Sequence, residues 1–416
     1  MKSVDFLIIG GGAAGTTAAQ VIRSLKPEAA ISILSDENYE MYSRVLLPNY
    51  IRGEINREQV FLKKPDWYQQ NRIELVKNAS AQKLLANEKT LVCGNGNTYK
   101  YDKSLIATGA LPIKLNVPGN DLGNISYMWT INDADKIVTA CQEAKEGLII
   151  GGGFIGLEFA HSFKVKGIET TILEGAPYYW GNRLDESSSK VLQNILEANG
   201  IRVIVKDQVE KFIAKADGAV GGLVTKSGQQ FDCDLVGIGI GIRSDLSWLA
   251  AGSGIKIDGG IVTNEYLETS IPDVYAAGDC VSFYDLIIQA PHIVGTWANA
   301  TTQGSVVARN MMGIKTIFEA VSSYTINFFG ASCSFIGMTD ENFADEIIDR
   351  GSVEAAKMSR IFLKKYGSDI RIVGATVINE PSQVMPLASL IKNKVDIATY
   401  KNKVSDIAFD LKSLVS

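Results

Sequence analysis

Two glycine-rich hexapeptides dominate the sequence: Gly10-Gly11-Gly12-Ala13-Ala14-Gly15 near the start and Gly151-Gly152-Gly153-Phe154-Ile155-Gly156 near the middle. Each follows a short apolar run (Phe6–Ile9, then Leu148–Ile150) and opens a stretch of helical periodicity. In a strand–turn–helix of this kind the first glycine permits a tight turn, the second lets backbone approach a pyrophosphate, and the third packs helix closely on strand. The helix N-terminus adds amide donors and a favourable dipole. A single G-x-G-x-x-G says little. Two in this context imply two dinucleotides on one chain, and hence electrons passing between them.

Carboxylates follow at the distances such a site needs. Asp36 and Glu37 lie 21 and 22 residues beyond Gly15, where an acidic side chain accepts from the ribose hydroxyls of an adenosine. Glu174 stands 18 residues beyond Gly156 and is followed by Gly175, Ala176, Pro177, Tyr178, Tyr179 and Trp180, with no base before Arg183. A carboxylate there accepts from a 2′-hydroxyl and repels a 2′-phosphate, which favours NAD over NADP. Gly237, Gly239 and Gly241 in one apolar segment suggest a ligand or backbone lying close.

Composition narrows the classes. The chain has 416 residues, 46% hydrophobic and 21% charged, as expected of a soluble globular protein of two to three domains. A net charge of −5 and a pI near 5.4 argue against a nucleic-acid surface. The five cysteines (93, 141, 233, 280, 333) lie more than 40 residues apart, so no C-x-x-C pair or compact metal-cluster motif exists. They fit a reducing cytoplasm and buried, packed thiols, Cys280 included. The N-terminal apolar run reads as a strand rather than a signal peptide, and no run of 18 apolar residues predicts a membrane span. Only His161 and His292 occur, the first a structural helix residue, the second in a segment that could be functional. Nothing predicts a catalytic metal.

Stepping along the chain, the patterns predict strands over 5–9 and 31–34 around a helix over about 14–25. Mixed loop and helix follow over 39–70, then β segments at Thr90–Cys93 and Thr98–Tyr101, and a strand Ser104–Ala107 running into Thr108-Gly109. The plan repeats: strand 148–150, helix 154–166, strand Thr170–Leu173, helix 186–199 ending at Gly200, strands 201–206 and 209–214, a glycine-rich turn over Gly218–Gly222 and a strand Asp234–Ile240. A further strand, Val274–Ala277, ends in Gly278-Asp279; a helix over Ala298–Met312 stops at Gly313. The last hundred residues hold strands near Thr325–Phe329 and Ile370–Val377 and two terminal helices. The fold class is therefore α/β: two Rossmann-like dinucleotide-binding domains, the first discontinuous (1–112 and 243–317), the second over 113–242, and a C-terminal α+β interface domain over 318–416.

Taken in order, the first fingerprint, Ala107-Thr108-Gly109, the second fingerprint and Tyr275-Ala276-Ala277-Gly278-Asp279 resemble the pyridine nucleotide–disulfide oxidoreductase superfamily of FAD- and NAD(P)H-binding flavoprotein reductases. The resemblance implies that the first fingerprint binds FAD, with Asp36, Glu37, Arg44, Ala81, Thr108, Gly109, Gly278 and Asp279 also at the flavin cofactor, and Asp279 on the ribityl chain. It implies that the second binds NAD(H), with Gly239, Glu158 on the nicotinamide carboxamide, and Phe154 and Ile155 walling the pocket. Tyr42-Ser43-Arg44-Val45-Leu46-Leu47, free of cysteine, is similar to the rubredoxin, ferredoxin and nitrite reductase-type branch; Asn49 stands where some ferredoxin reductases place a lysine. With no thiol pair, three tasks remain. Nicotinamide C4 must stack on flavin N5 at about 3–3.5 Å, charge at flavin N1/O2 must be stabilised, and electrons must leave. The helix opening at Thr296-Trp297 is the candidate for the second task; Glu158, Trp297 and Arg44 are the candidate catalytic residues. The implied activity is hydride transfer from NADH to FAD and onward to an acceptor protein such as a rubredoxin, a ferredoxin or an iron–sulfur subunit. The flavin subunit of a larger nitrite reductase-like complex, an NADH oxidase or peroxidase, and a non-catalytic NADH sensor stay open, as does homo- or hetero-oligomeric state.

Overall fold

The computed structural model describes residues 1–249 and 252–415. The chain sorts into two compact units: Met1–Val45 with Arg57–Leu111 and Ile242–Ser322, and Leu46–Asn56 with Pro112–Gly241 and Ser323–Ser416.

In the first unit the strand Lys2–Ile9 lies between Ile31–Leu34 and Thr98–Ile106, parallel to both. Ile73–Val76 extends one side and Val274–Ala276 the other, also parallel. Leu7, Ile8, Ile33, Leu105 and Ile106 are buried, the continuous apolar reading of strands covered on both faces. Strand order reverses beside Lys2–Ile9, so Gly10 sits at the topological switch point where such sheets bind ligands. The segments expected as two strands around 102–103 are one. Asp102-Lys103 looks like a break, but Lys2–Val4 pairs with Tyr99–Tyr101 and Phe6–Ile9 with Lys103–Ile106, so the register runs through.

The second unit repeats the pattern in the order Ile201–Val205, Glu169–Glu174, Glu146–Ile150, Leu235–Ile238, Ile125–Ser126, all parallel. An antiparallel hairpin group, Val209–Ala214, Val220–Thr225 and Gln230–Asp232, corrects the glycine turn expected over 218–222: Gly221 and Gly222 belong to a strand. Gly222 is needed there because a Cβ would lie 2.5 Å from the Phe231 carbonyl oxygen.

The C-terminal part of this unit is a five-stranded antiparallel sheet in the order Ser323–Phe328, Ala331–Gly337, Asp369–Ile378, Lys357–Tyr366, Glu346–Ser352, with the helix Val384–Lys392 against it. The second terminal helix is a single turn, Lys401–Val404. Within the strand Glu346–Ser352, Arg350 is only 2% exposed, and its Nη2 donates to the carbonyls of Asp406, Ile407 and Phe409 at 2.9–3.1 Å. Among the described residues no helix is long and apolar enough to cross a membrane.

Candidate functional site

Among the described helices of ten or more residues, beginnings are of two kinds. Thr130, Asp185 and Thr296 cap theirs with a side-chain oxygen on a backbone amide. The two fingerprint helices, Ala13–Leu25 and Phe154–Val165, begin at Gly12 and Gly153 with no side-chain cap. Since the first amides of a helix lack intrahelical partners, these two ends keep donors for an anion. Gly10 (φ +118°) turns the chain where a Cβ would lie 2.1 Å from the Ala107 carbonyl oxygen, and at Gly15 one would lie 2.0 Å from the Gly10 carbonyl oxygen. The second fingerprint reproduces this: a Cβ at Gly151 would meet the Gly239 carbonyl oxygen at 2.6 Å, and one at Gly156 the Gly151 carbonyl oxygen at 2.0 Å. Around Gly12, by contrast, nothing lies within 4 Å of an added Cβ. The first cradle is open and fits a pyrophosphate; at the second, the Trp180 ring lies 3.5 Å from where a Cβ on Gly153 would stand.

At the first cradle the structure separates the acidic pair. Asp36 is exposed, whereas Glu37 turns inward: Arg44 Nη2 donates to its Oε1 at 2.6 Å and the Tyr42 hydroxyl to its Oε2 at 2.5 Å. Arg44 also reaches the Tyr42 hydroxyl at 3.3 Å, so Tyr42, given in the sequence analysis no role beyond the 42–47 pattern, completes the cluster. Ala14 is buried and faces the helix Trp297–Met311, where a Cβ on Gly304 would lie 2.4 Å from the Ala14 carbonyl oxygen. That glycine lets the helices Ala13–Leu25 and Trp297–Met311 pack closely. Ala81 lies on the edge hairpin, packed against the core, and Thr108 is exposed just beyond Ala107, followed by Gly109.

Gly278 and Asp279 follow the strand Val274–Ala276, with the Gly278 amide held by Gln303 Oε1 at 2.7 Å. Burial raises the Asp279 carboxyl above its ordinary range, with Arg44 opposing. A buried carboxylate of this kind is suited to receive a ligand hydroxyl. Trp297 opens its helix half-buried and outside the apolar core; Thr296 Oγ1 accepts from the Asn299 amide, leaving the first amides free of side-chain caps. His292 Nδ1 sits 3.1 Å from Asp285 Oδ2, a carboxylate that also accepts from the Ile287 amide.

At the second cradle Glu174 accepts from the Gly152 amide through Oε2 (2.9 Å) and from the Ala176 amide through Oε1 (3.0 Å), which fixes its orientation. Buried Tyr179 closes the floor, since a Cβ on Gly152 would lie 2.5 Å from its ring. The glycines of 237–241 divide. Gly237 makes room for the Phe159 ring, and Gly239 for the fingerprint backbone itself, a Cβ there lying 2.9 Å from the Gly156 amide nitrogen. Phe154 is edge-on to Trp180, Tyr324 and Phe335 at 4.6–5.2 Å, an aromatic box half supplied by the C-terminal sheet, while Ile155 is half-buried beside it. Glu158, four residues further along the helix, accepts from Arg52 Nη1 at 3.0 Å. Arg52 and its second partner Glu54 escaped the sequence reading, because nothing in their spacing ties them to residue 158. His161 stacks edge-on to Phe329 at 4.9 Å, and burial lowers its pKa.

All five cysteines are buried and unpaired, and burial pushes their thiols up, Cys280 to about 11. None is a reactive thiolate near neutral pH.

The pyridine nucleotide-disulphide oxidoreductase family model matches residues 4–304, spanning both fingerprints. The chain belongs to this family. It is an NAD(P)H-dependent flavin oxidoreductase that uses FAD and NAD(H). It is 30% identical to the nitrite reductase [NAD(P)H] of Bacillus subtilis over 96% of its length but spans only 48% of that relative. It is 26% identical to the rubredoxin-NAD(+) reductase of Pseudomonas putida, covering 93% of this chain and 98% of the relative. The structure of a ferredoxin reductase from Rhodopseudomonas palustris superposes with a TM-score of 0.88 at 25% identity, covering 99% of this chain and 100% of that one.

Replacing Glu174 by alanine is expected to weaken NADH binding by about 1–3 kcal/mol, the cost of an unmade or unsatisfied polar contact. Fluorescence titration with both coenzymes checks it: NADPH should lose less, and equal losses would contradict a role on the 2′-hydroxyl.

Proposed function

We propose that this chain takes hydride from NADH onto its FAD and passes the electrons to a separate acceptor of the rubredoxin, ferredoxin or iron–sulfur kind. Bound FAD supplies a carrier able to accept two electrons together and release them one at a time. The observation that carries the reading is the state of the cysteines. All five are buried with raised thiol pKa values, so this member of a disulfide-handling family has no thiol suited to take the electrons on. A relative named for rubredoxin and a solved ferredoxin reductase support the same acceptor class.

In this reading Gly10, Gly12 and Gly15 cradle the FAD pyrophosphate, Glu37 takes the adenosine ribose, Asp279 the ribityl hydroxyls, and the amides at Trp297 stabilise negative charge at the ring's N1/O2 edge. Gly151, Gly153, Gly156 and Glu174 hold NADH, and Glu158 orients the carboxamide. The domains would run 1–112 with 243–317 for FAD, 113–242 for NAD(H) and 318–416 for the interface, in a cytoplasmic enzyme. Stopped-flow mixing with NADH should bleach the flavin within a turnover, and rubredoxin or ferredoxin should then reoxidise it faster than oxygen does. A flavin that stays oxidised defeats the proposal.

The match over half of a nitrite reductase favours a second reading, in which the chain is the NADH-handling flavin module of a larger iron–sulfur assembly. Size-exclusion of native extract separates the two, since a free reductase elutes without partner subunits.

A further inference from the structure

Resting on the reading that Glu158 orients the nicotinamide carboxamide, we propose that Arg52 is a positioning residue, holding Glu158 ionised and aimed from the neighbouring helix Leu47–Arg52. The geometry is specific. Arg52 is 8% and Glu158 19% exposed at the side chain, so the pair is poorly screened. The guanidinium spends one face on Glu54, Nε to Oε1 at 2.7 Å and Nη2 to Oε2 at 3.2 Å, and turns Nη1 to Glu158 Oε2 at 3.0 Å. Asn49 Nδ2 donates to Glu54 Oε2 at 2.6 Å, fixing the carboxylate that fixes the arginine. A planar guanidinium with its fork anchored has little freedom left, which a lysine at the same place could not match. So Asn49, which brings no charge of its own, serves the arginine three residues on.

The charges around Glu158 give this arrangement a sign. Burial favours its protonated form, Glu54 adds to that, and Arg52 opposes both. Tyr324, on the strand packed over the helix, is itself raised to about 12 by burial with a contribution from Glu158 and stays neutral. His161, one turn along, is held towards neutrality by burial and by Arg52. Arg52 is thus the cation that decides whether the Glu158 carboxylate can accept from a carboxamide N–H near neutral pH.

Titration calorimetry of NAD+ into the FAD-loaded full chain between pH 5 and 8, in two buffers of different ionisation enthalpy, tests this without turnover. In Arg52→Gln the midpoint below which NAD+ affinity falls should move up by at least about one pH unit, with proton release on binding at neutral pH; Arg52→Lys should bring the midpoint back with its charge but leave affinity below the original, because it lacks the anchored fork. Glu54→Gln should move the midpoint the other way, which keeps the test sharp if Arg52→Gln does not fold. A merely structural role would weaken binding in these variants with no movement of the midpoint, and that result overturns the inference. Glu158→Gln separates the underlying reading: unchanged NAD+ affinity in that variant overturns the carboxamide role and this inference together. Weakened affinity in Glu158→Gln with a fixed midpoint in the other variants overturns the role of Arg52 alone.

Discussion

Alanine at position 12 is expected to leave the apoprotein's unfolding free energy within about 1 kcal/mol of the original while lowering FAD affinity at least about tenfold. Gly12 has φ −78° and ψ −162°, which any residue adopts, and a methyl group there meets no protein atom within 4 Å. The lost glycine flexibility and the poorer N-cap nearly offset each other. What the methyl does occupy is the approach to the uncapped amides at the start of the helix Ala13–Leu25, the space a pyrophosphate needs. Gly15→Ala is the contrasting variant. Its methyl would sit 2.0 Å from the Gly10 carbonyl oxygen, so the helix must move off its strand at a cost of about 1–3 kcal/mol, and flavin should be lost with it. Thermal unfolding of apoprotein and flavin titration of the two variants check both. A Gly12→Ala protein that binds FAD normally would remove the first cradle from the cofactor site.

Asp279 carries the second large effect, with a sign that depends on pH. Its carboxyl titrates higher in the folded chain than in an unfolded one because burial disfavours the charge. The folded apoprotein therefore holds that proton more tightly, and its stability falls as pH rises from the ordinary carboxylate range through the folded value. Asp279→Asn should remove this slope and leave the apoprotein more stable at neutral pH than the original. Asp279→Ala should at the same time weaken FAD by about 1.5–3 kcal/mol, the worth of a hydrogen bond to a charged group, and emerge from purification depleted of flavin. Melting curves at pH 4 to 8 alongside the ratio of flavin to protein absorbance would decide. Full flavin occupancy in Asp279→Ala, or the same pH slope in Asp279→Asn, would count against the assignment.

Much of both doubly wound sheets is legible in the residues, because central parallel strands are continuous apolar runs and the fingerprints punctuate them. Ile31–Leu34 falls at its expected bounds, and so, outside the parallel strands, do the antiparallel Thr90–Cys93 and Val209–Ala214. Three of the five C-terminal strands escape, for a physical reason. Lys357–Tyr366 carries Lys357, Arg360, Lys364 and Lys365, Ala331–Gly337 is mostly small or polar, and Glu346–Ser352 contains Asp349, Arg350 and Gly351. Cross-strand pairing and partners such as Asp349 and Asp345 stabilise these segments, not their own propensity. The site divides in the same way. Glycines and carboxylates announce themselves by spacing, whereas Tyr42 against Glu37, Arg52 against Glu158 and Tyr179 beneath Gly152 are meetings made only by tertiary packing.

The polypeptide passes between its two compact units five times, at residues 45–46, 56–57, 111–112, 241–242 and 322–323. No single cut therefore liberates either one, and a ribosome has released most of the protein before the strand Val274–Ala276 can join the sheet begun by Lys2–Ile9. Closure of that sheet spans well over half the chain, a long-range pairing of the kind that makes folding slow and exposes unfinished edges to aggregation. Truncated forms of the chain should accordingly accumulate as insoluble material, and recovery of the intact protein should depend on synthesis rate and temperature.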